Sequence, residues 1–275
     1  MPAIGNENYG ISMGRFLLAP RRDLFAYLIE VPENRVGILA EVSLILAEHN
    51  ADILYIRAYV DPEENRGFIF SILDVTNAKS DPYKLRDLLK EVKGVSQVFA
   101  IEPLKKGFVV DTIGFPVYVG GSRVLLMRDA VIKALEENLS KRIGKAAAEA
   151  LVYHIGYEMG QGAAESHLKI AEALGIDDPL EIIGTISAPL FKAFGYGNVV
   201  FEGEGKEKDL RCLMAKVYRG IESSDKSSSP LIRGMWAGEI SRILGKEVVA
   251  REIECKEGEC IEFQLKLREH RSINP

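Results

Sequence analysis

"LFAYLIEVPENRVGILAEVSLILAEHNADILYIRAYV", residues 24–60, changes its hydrophobic period twice. Phe25, Tyr27, Ile29 and Val31 recur every second residue, the spacing of a half-buried strand. Beyond the loop, Leu39, Val42, Leu46 and Ala47 fall on one face of a helix, with Asn34 as its expected cap. "ILYIRAYV" (53–60) returns to strand composition. Outward from this stretch, "DPEENRG" (61–67) is turn chemistry punctuated by Pro62 and Gly67, and "FIFSILDV" (68–75) is the returning strand. A second helix is expected from Ser80 or Asp81, with Pro82 in its first turn, Leu85, Leu88, Leu89 and Val92 as its buried stripe and Gly94 as its stop. "VSQVFAIE" (95–102) closes the pattern. The order βαββαβ predicts a ferredoxin-like sandwich, an antiparallel sheet with both helices on one face.

That fold alone carries no function. Its first loop, "ENRVGILAEV", followed by "HNADI", resembles the ACT domain, a regulatory amino-acid-binding module, over about residues 24–102. The resemblance implies an amino-acid loop at Asn34, Arg35 and Gly37, where Gly37 lets a ligand or partner approach the backbone. Free N–H groups at the helix start suit a carboxylate. Valine at position 36 stands where the family usually has proline. Many such modules only dimerise, and that alternative stays open.

The character changes after "KKG" (105–107). Residues 105–112 are expected as a linker between an ACT-like domain (23–104, preceded by an extension, 1–22) and a second domain (113–270). "RDAVIKALEENLSKRIG" predicts a helix with Val131, Leu135 and Leu139 on its apolar face. The alanine- and glycine-rich run 145–175 predicts another, in which Gly156 and Gly160 make a smooth strip. A helix ending at "GYG" (195–197), strands at "NVVFEG" and "DLRCLMAKVYRG", a helix over 230–245 and a hairpin over 246–267 complete an α/β arrangement of helices on an antiparallel sheet.

The motifs "RVLLMRDAVIKAL", "ALVYHIGYEMGQG", "FGYGNVV", "SSSPLIRGMWAGEISRILG" and "EIECKEGEC" resemble the 4-vinyl reductase domain family. The resemblance implies a dimer enclosing an apolar cavity for a small hydrophobic molecule. Tyr153, His154, Tyr157, Phe191, Phe194, Tyr196 and Trp236 are the expected pocket residues, with His154 as polar anchor; core packing is the alternative for each. The metal-binding members of that family hold zinc with three thiolates and one carboxylate. Glu252, Cys255 and Cys260 match three of those positions, and the fourth ligand would be Cys212 or, at the expected cysteine position, Ser229. A disulfide or two free thiols across the hairpin are the alternatives. The odd spacing of Glu252 and Cys255 places them on opposite faces of an ideal strand, so zinc also demands a bulge.

Bulk properties narrow the function. The 275 residues carry a net charge of −5, which gives no electrostatic footprint for nucleic acid. No apolar run is long enough for a membrane span, no secretory pattern opens the chain, and three cysteines are not a disulfide framework, so a cytoplasmic protein is expected. No nucleophile motif, dinucleotide fingerprint or HExxH occurs. The reading is a ligand-binding regulator that is homodimeric and signals through a protein partner, with an apolar ligand in the second domain and an amino acid in the first. An enzyme or enzyme subunit acting on a vinyl-bearing or aromatic substrate, or a dimerisation scaffold, are the alternatives.

Overall fold

The computed structural model describes residues 12–61, 63–203, 212–218, 229–253 and 260–267. Two compact units divide the chain, Met1–Leu126 and Met127–Pro275.

In the first unit, β1 (Phe16–Leu18) precedes β2 (Leu24–Val31), α1 (Ile38–Glu48), β3 (Asp52–Val60), β4 (Gly67–Asp74), α2 (Pro82–Lys90) and β5 (Gln97–Ile101). The short strands β6 (Phe108–Val110), β7 (Val117–Val119) and β8 (Ser122–Val124) follow. The main sheet has the order β3-β4-β2-β5, all antiparallel, as the ferredoxin-like pattern requires. Phe25, Tyr27, Ile29 and Val31 face the helices and meet Ile38, Val42, Leu46, Leu85 and Leu89. The buried stripe of α1 is Ile38, Val42 and Leu46: Val42 and Leu46 are buried as expected, whereas Leu39 and Ala47 are exposed and Ile38 takes the place of Leu39. Asp81 caps α2 by accepting from the Tyr83 and Lys84 amides.

The other face of this sheet is also covered, and the sequence did not announce it. β1 pairs antiparallel with β6, and Val109, fully buried, joins Leu24, Ala26, Leu28, Phe70 and Ile72 in a second core. Arg15 donates to the buried Asp111 carboxylate at 2.6 Å and to the Gly114 carbonyl oxygen at 2.6 Å. Residues 105–112, expected as a linker, are thus part of the first unit, and the end of the expected N-terminal extension is their partner strand. The reason is physical: a sheet with apolar side chains on both faces needs a second cover.

In the second unit, α3 (Asp129–Ile143), α4 (Lys145–Leu174) and α5 (Pro179–Ile182) run into a π-helical turn, Ile183–Ser187, and then α6 (Ala188–Ala193). β9 (Asn198–Gly203), β10 (Cys212–Tyr218), α7 (Pro230–Leu244), β11 (Val248–Ile253) and β12 (Cys260–Leu267) complete it. The sheet order is β11-β12-β10-β9, all antiparallel. Its core joins Trp236, Ile232 and Ile240 of α7 to Ala215, Phe263 and Leu265 of the sheet. On α3, Ile132 and Leu139 pack against this core, whereas Val131 and Leu135, expected on the buried face, are exposed.

Candidate functional site

In the first unit the expected amino-acid loop is built around Gly37. It precedes α1 with φ of 94°, a left-handed backbone that glycine alone adopts without strain, and no side chain caps the helix. Asn34 is not the cap. Its amide donates to the Asn65 carbonyl oxygen at 2.9 Å, which ties the loop to the β3–β4 turn. Arg35 clasps the loop from the other side, donating to the Lys93 carbonyl oxygen at 2.9 Å and to Glu41 at 2.5 Å. That hydrogen bond from Arg35 holds the Glu41 carboxyl below its ordinary value, against a smaller opposing effect of burial. The loop borders a shallow depression of about 50 Å³ lined by Val31, Asn34, Ile38, Leu39, Tyr59 and Phe68 among others. The first-turn N–H groups of α1 and this apolar floor are the two chemistries the loop offers.

In the second unit the site begins with glycine. A Cβ on Gly156 would overlap the Leu231 carbonyl oxygen, and one on Gly160 the Met235 carbonyl oxygen. From the facing helix, a Cβ on Gly234 or Gly238 would overlap the carbonyl oxygens of Tyr153 or Tyr157. Helices α4 and α7 therefore cross backbone to backbone and run in the same direction. The glycine strip that the sequence showed on α4 meets its counterpart on α7, and packing is its use.

That crossing fixes Trp236. It is fully buried, with Phe201 edge-on at 4.8 Å and Phe191 at 5.1 Å between ring centres. Phe191 in turn stacks on Tyr196 at 5.3 Å. Phe191, Tyr196 and Trp236 are thus brought together within the core of the unit. The indole Nε1–H of Trp236 is buried and, among the described residues, has no hydrogen-bond partner. Tyr153 and Tyr157 pack against the same core, and the Tyr153 hydroxyl accepts from the Ala250 amide at 3.1 Å. Burial pushes the Tyr153 phenol above its ordinary value. Two expected pocket residues are elsewhere: Phe194 and His154 are exposed.

The buried histidine is His167. Its Nδ1 lies 2.7 Å from Glu239 Oε1 and 3.2 Å from Ser187 Oγ, and all three residues are at most 5% exposed. The sequence carried a signal for it. Continuing the Gly156–Gly160 strip at helical spacing gives Ala164, His167 and Ala171, and each is buried.

Of the expected zinc ligands, Cys255 lies outside the described residues, and only the backbones of Glu252, Cys260 and Cys212 are placed. Cys212 pairs with Lys266 and Cys260 with Tyr218, at opposite ends of the β10–β12 ladder. That separation is about 20 Å, so Cys212 is not a fourth ligand beside Cys260. Ser229 is engaged as the cap of α7, accepting from the Ile232 amide at 3.4 Å and donating to Glu136 at 3.1 Å. Among the described residues no group of three or more metal-ligating side chains stands together, and no helix is long and apolar enough to cross a membrane.

Two family models match the chain, the ACT domain over residues 27–93 and an activator of aromatic catabolism over residues 111–195. Among solved structures, the phenol-responsive sensory domain of the transcription activator PoxR with phenol is 16% identical, covering 54% of this chain and 79% of that one, with a TM-score of 0.42. A vinyl-4-reductase family protein from Methanocaldococcus jannaschii is 15% identical over 54% of this chain and 100% of that one, with a TM-score of 0.31. An uncharacterized protein of Thermotoga maritima is 29% identical over 30% of this chain and 99% of that one, with a TM-score of 0.24. No curated protein matches the chain. The first match meets the ACT expectation. Together the two family matches support a regulatory, ligand-sensing role.

Proposed function

We propose that the chain is a regulatory sensor whose second unit binds a small phenol-type aromatic molecule at Phe191, Tyr196 and Trp236. One observation carries this reading: Trp236 holds a fully buried N–H without a partner among the described residues, surrounded by aromatic rings. An unsatisfied buried donor costs about 1–3 kcal/mol. A phenolic oxygen would remove that cost while the ring packs against Phe191 and Tyr196. The match of residues 111–195 to an activator of aromatic catabolism supports the same ligand class. The first unit, on this reading, receives an amino acid at Asn34–Gly37, with its carboxylate on the first-turn N–H groups of α1. The chain works as a homodimer and passes its output to a protein partner. No step is assigned to zinc.

Calorimetric titration of the whole chain with phenol and with toluene tests the ligand assignment. Phenol binds about 10-fold more tightly than toluene, the worth of one well-placed hydrogen bond. Trp236→Phe brings the two ligands level. A wild type that binds neither, or a phenol preference that survives Trp236→Phe, contradicts the assignment.

A further inference from the structure

We infer that His167 and Glu239 are positioning residues for the aromatic site, acting through Ser187 to hold Phe191 closed over Trp236. The inference rests on the aromatic reading above and adds how access to that site is set.

Pro189 is the local cause of the irregular segment. It has no N–H to give the Thr185 carbonyl, and its ring crowds that carbonyl, so a regular α-helical turn cannot form there. The chain widens instead into the π-helical turn Ile183–Ser187. Such turns cluster at functional sites and leave a helix easy to shift. Ser187 ends the turn, and Phe191 lies one helical turn further on, over the same side of the segment.

Ser187 meets His167 of α4, which is paired with Glu239 of α7, and Phe191 meets Trp236 of α7. Glu239 and Trp236 are three residues apart on α7, so they too share a face. The segment and α7 are joined by two rungs, one polar and one aromatic. The polar rung sits in a dry setting: Ala171, Ile182 and Ile186 are buried beside it, with Leu190 and Ile243 packed against them. A carboxylate at 2.7 Å places the hydrogen on His167 Nδ1, so that hydrogen is shared between Glu239 and Ser187 Oγ. If the segment slid by one residue, the Ser187 contact would be lost inside an apolar cluster, which is costly. The polar rung thus fixes the register of the segment, and the register fixes Phe191.

Trp236 is fully buried, so a ligand reaches it only when part of its cover moves, and Phe191 is the part of that cover carried on the irregular segment. The apparent affinity is then the intrinsic affinity reduced by the fraction of molecules with the segment open. Strengthening the polar rung closes the site, and weakening it opens the site.

The test uses the whole chain with Ser187→Ala, which removes the weaker contact and adds no bulk. Hydrogen exchange of residues 183–193 is followed without ligand, and phenol affinity is followed by calorimetry. Exchange in the segment rises about 5-fold and phenol binds about 5-fold more tightly, the equivalent of one neutral hydrogen bond. His167→Leu removes the group that Ser187 meets and moves both readouts in the same direction as Ser187→Ala. Unchanged exchange in Ser187→Ala overturns the inference, as does faster exchange with unchanged or weaker phenol binding. If the wild type does not bind phenol, the aromatic reading fails, and the exchange arm decides the positioning role by itself.

Discussion

Gly160 and Met235 touch backbone to backbone: a Cβ on the glycine would overlap the Met235 carbonyl oxygen and lie 2.8 Å from the Glu239 amide nitrogen. Two helices that approach this closely cannot separate at one point without shifting Trp236 and Glu239, which ride on α7 between and beyond the contacts. Gly160→Ala is expected to cost the second unit about 3 kcal/mol or more, beyond the usual range for overpacking because backbone is the obstacle. Gly162, two residues on, has nothing within 4 Å of its would-be Cβ. Gly162→Ala is expected to stabilise by about 0.5–1 kcal/mol through helix propensity. Urea denaturation of the two variants checks both signs.

Asp111 is a structural residue of the first unit. Its carboxylate is fully buried, is paired with Arg15 and also accepts from the Gly114 amide at 2.7 Å. Asp111→Ala leaves a partly buried guanidinium without its partner, at a cost of about 3 kcal/mol. Thermal unfolding should show the loss in the first unit, and a chain truncated after residue 104 should be destabilised further because Val109 goes too.

The Arg35–Glu41 clasp gives the loop before α1 a pH dependence. Glu41 has a folded-state pKa lowered by the Arg35 hydrogen bond. The stabilisation is therefore complete above the ordinary carboxylate range and is lost as pH falls through the lowered value. Amide resonances of Gly37 and Gly94 should move in that acidic window, and Glu41→Gln should flatten the profile. A wild-type loop with no such titration contradicts the clasp.

Helix α3 has no fully buried residue in a single chain, although Val131 and Leu135 lie one turn apart on one face and are each more than 40% exposed. A helix of this length draws its stability from packing an apolar face, and a second copy of the chain is the partner proposed for it. Leu135→Glu should convert a dimer to a folded monomer in sedimentation equilibrium at micromolar concentration. A wild-type monomer removes the proposal.

The four strands of the main sheet were legible because β-rich runs are bounded by turn residues, and the start of α2 was legible to within Ser80 or Asp81, ahead of Pro82. The cover formed by β1 and β6 was not, since three-residue strands carry too little pattern to show a period. The middle of the α1 stripe, Val42 and Leu46, was legible, but its start was not, because Ile38 and Leu39 are equally apolar and only the sheet chooses between them. In the second unit Trp236, Phe191 and Tyr196 were legible as a group. His154 was favoured over His167 for its place among the tyrosines, although the Gly156–Gly160 strip continued at helical spacing runs through His167 and not His154. The π-helical turn was written in Pro189, but a proline ten residues into a helical run reads equally as a kink.

Trp236 is the chain's one tryptophan, so a nitrogen-15 spectrum carries a single indole N–H resonance that reports directly on the donor at the centre of this account. Titration with phenol is expected to shift that resonance downfield as a hydrogen bond forms, with toluene producing a smaller shift of no consistent direction. An indole resonance that ignores phenol at saturating concentration would contradict the proposal that this buried N–H is the ligand's anchor.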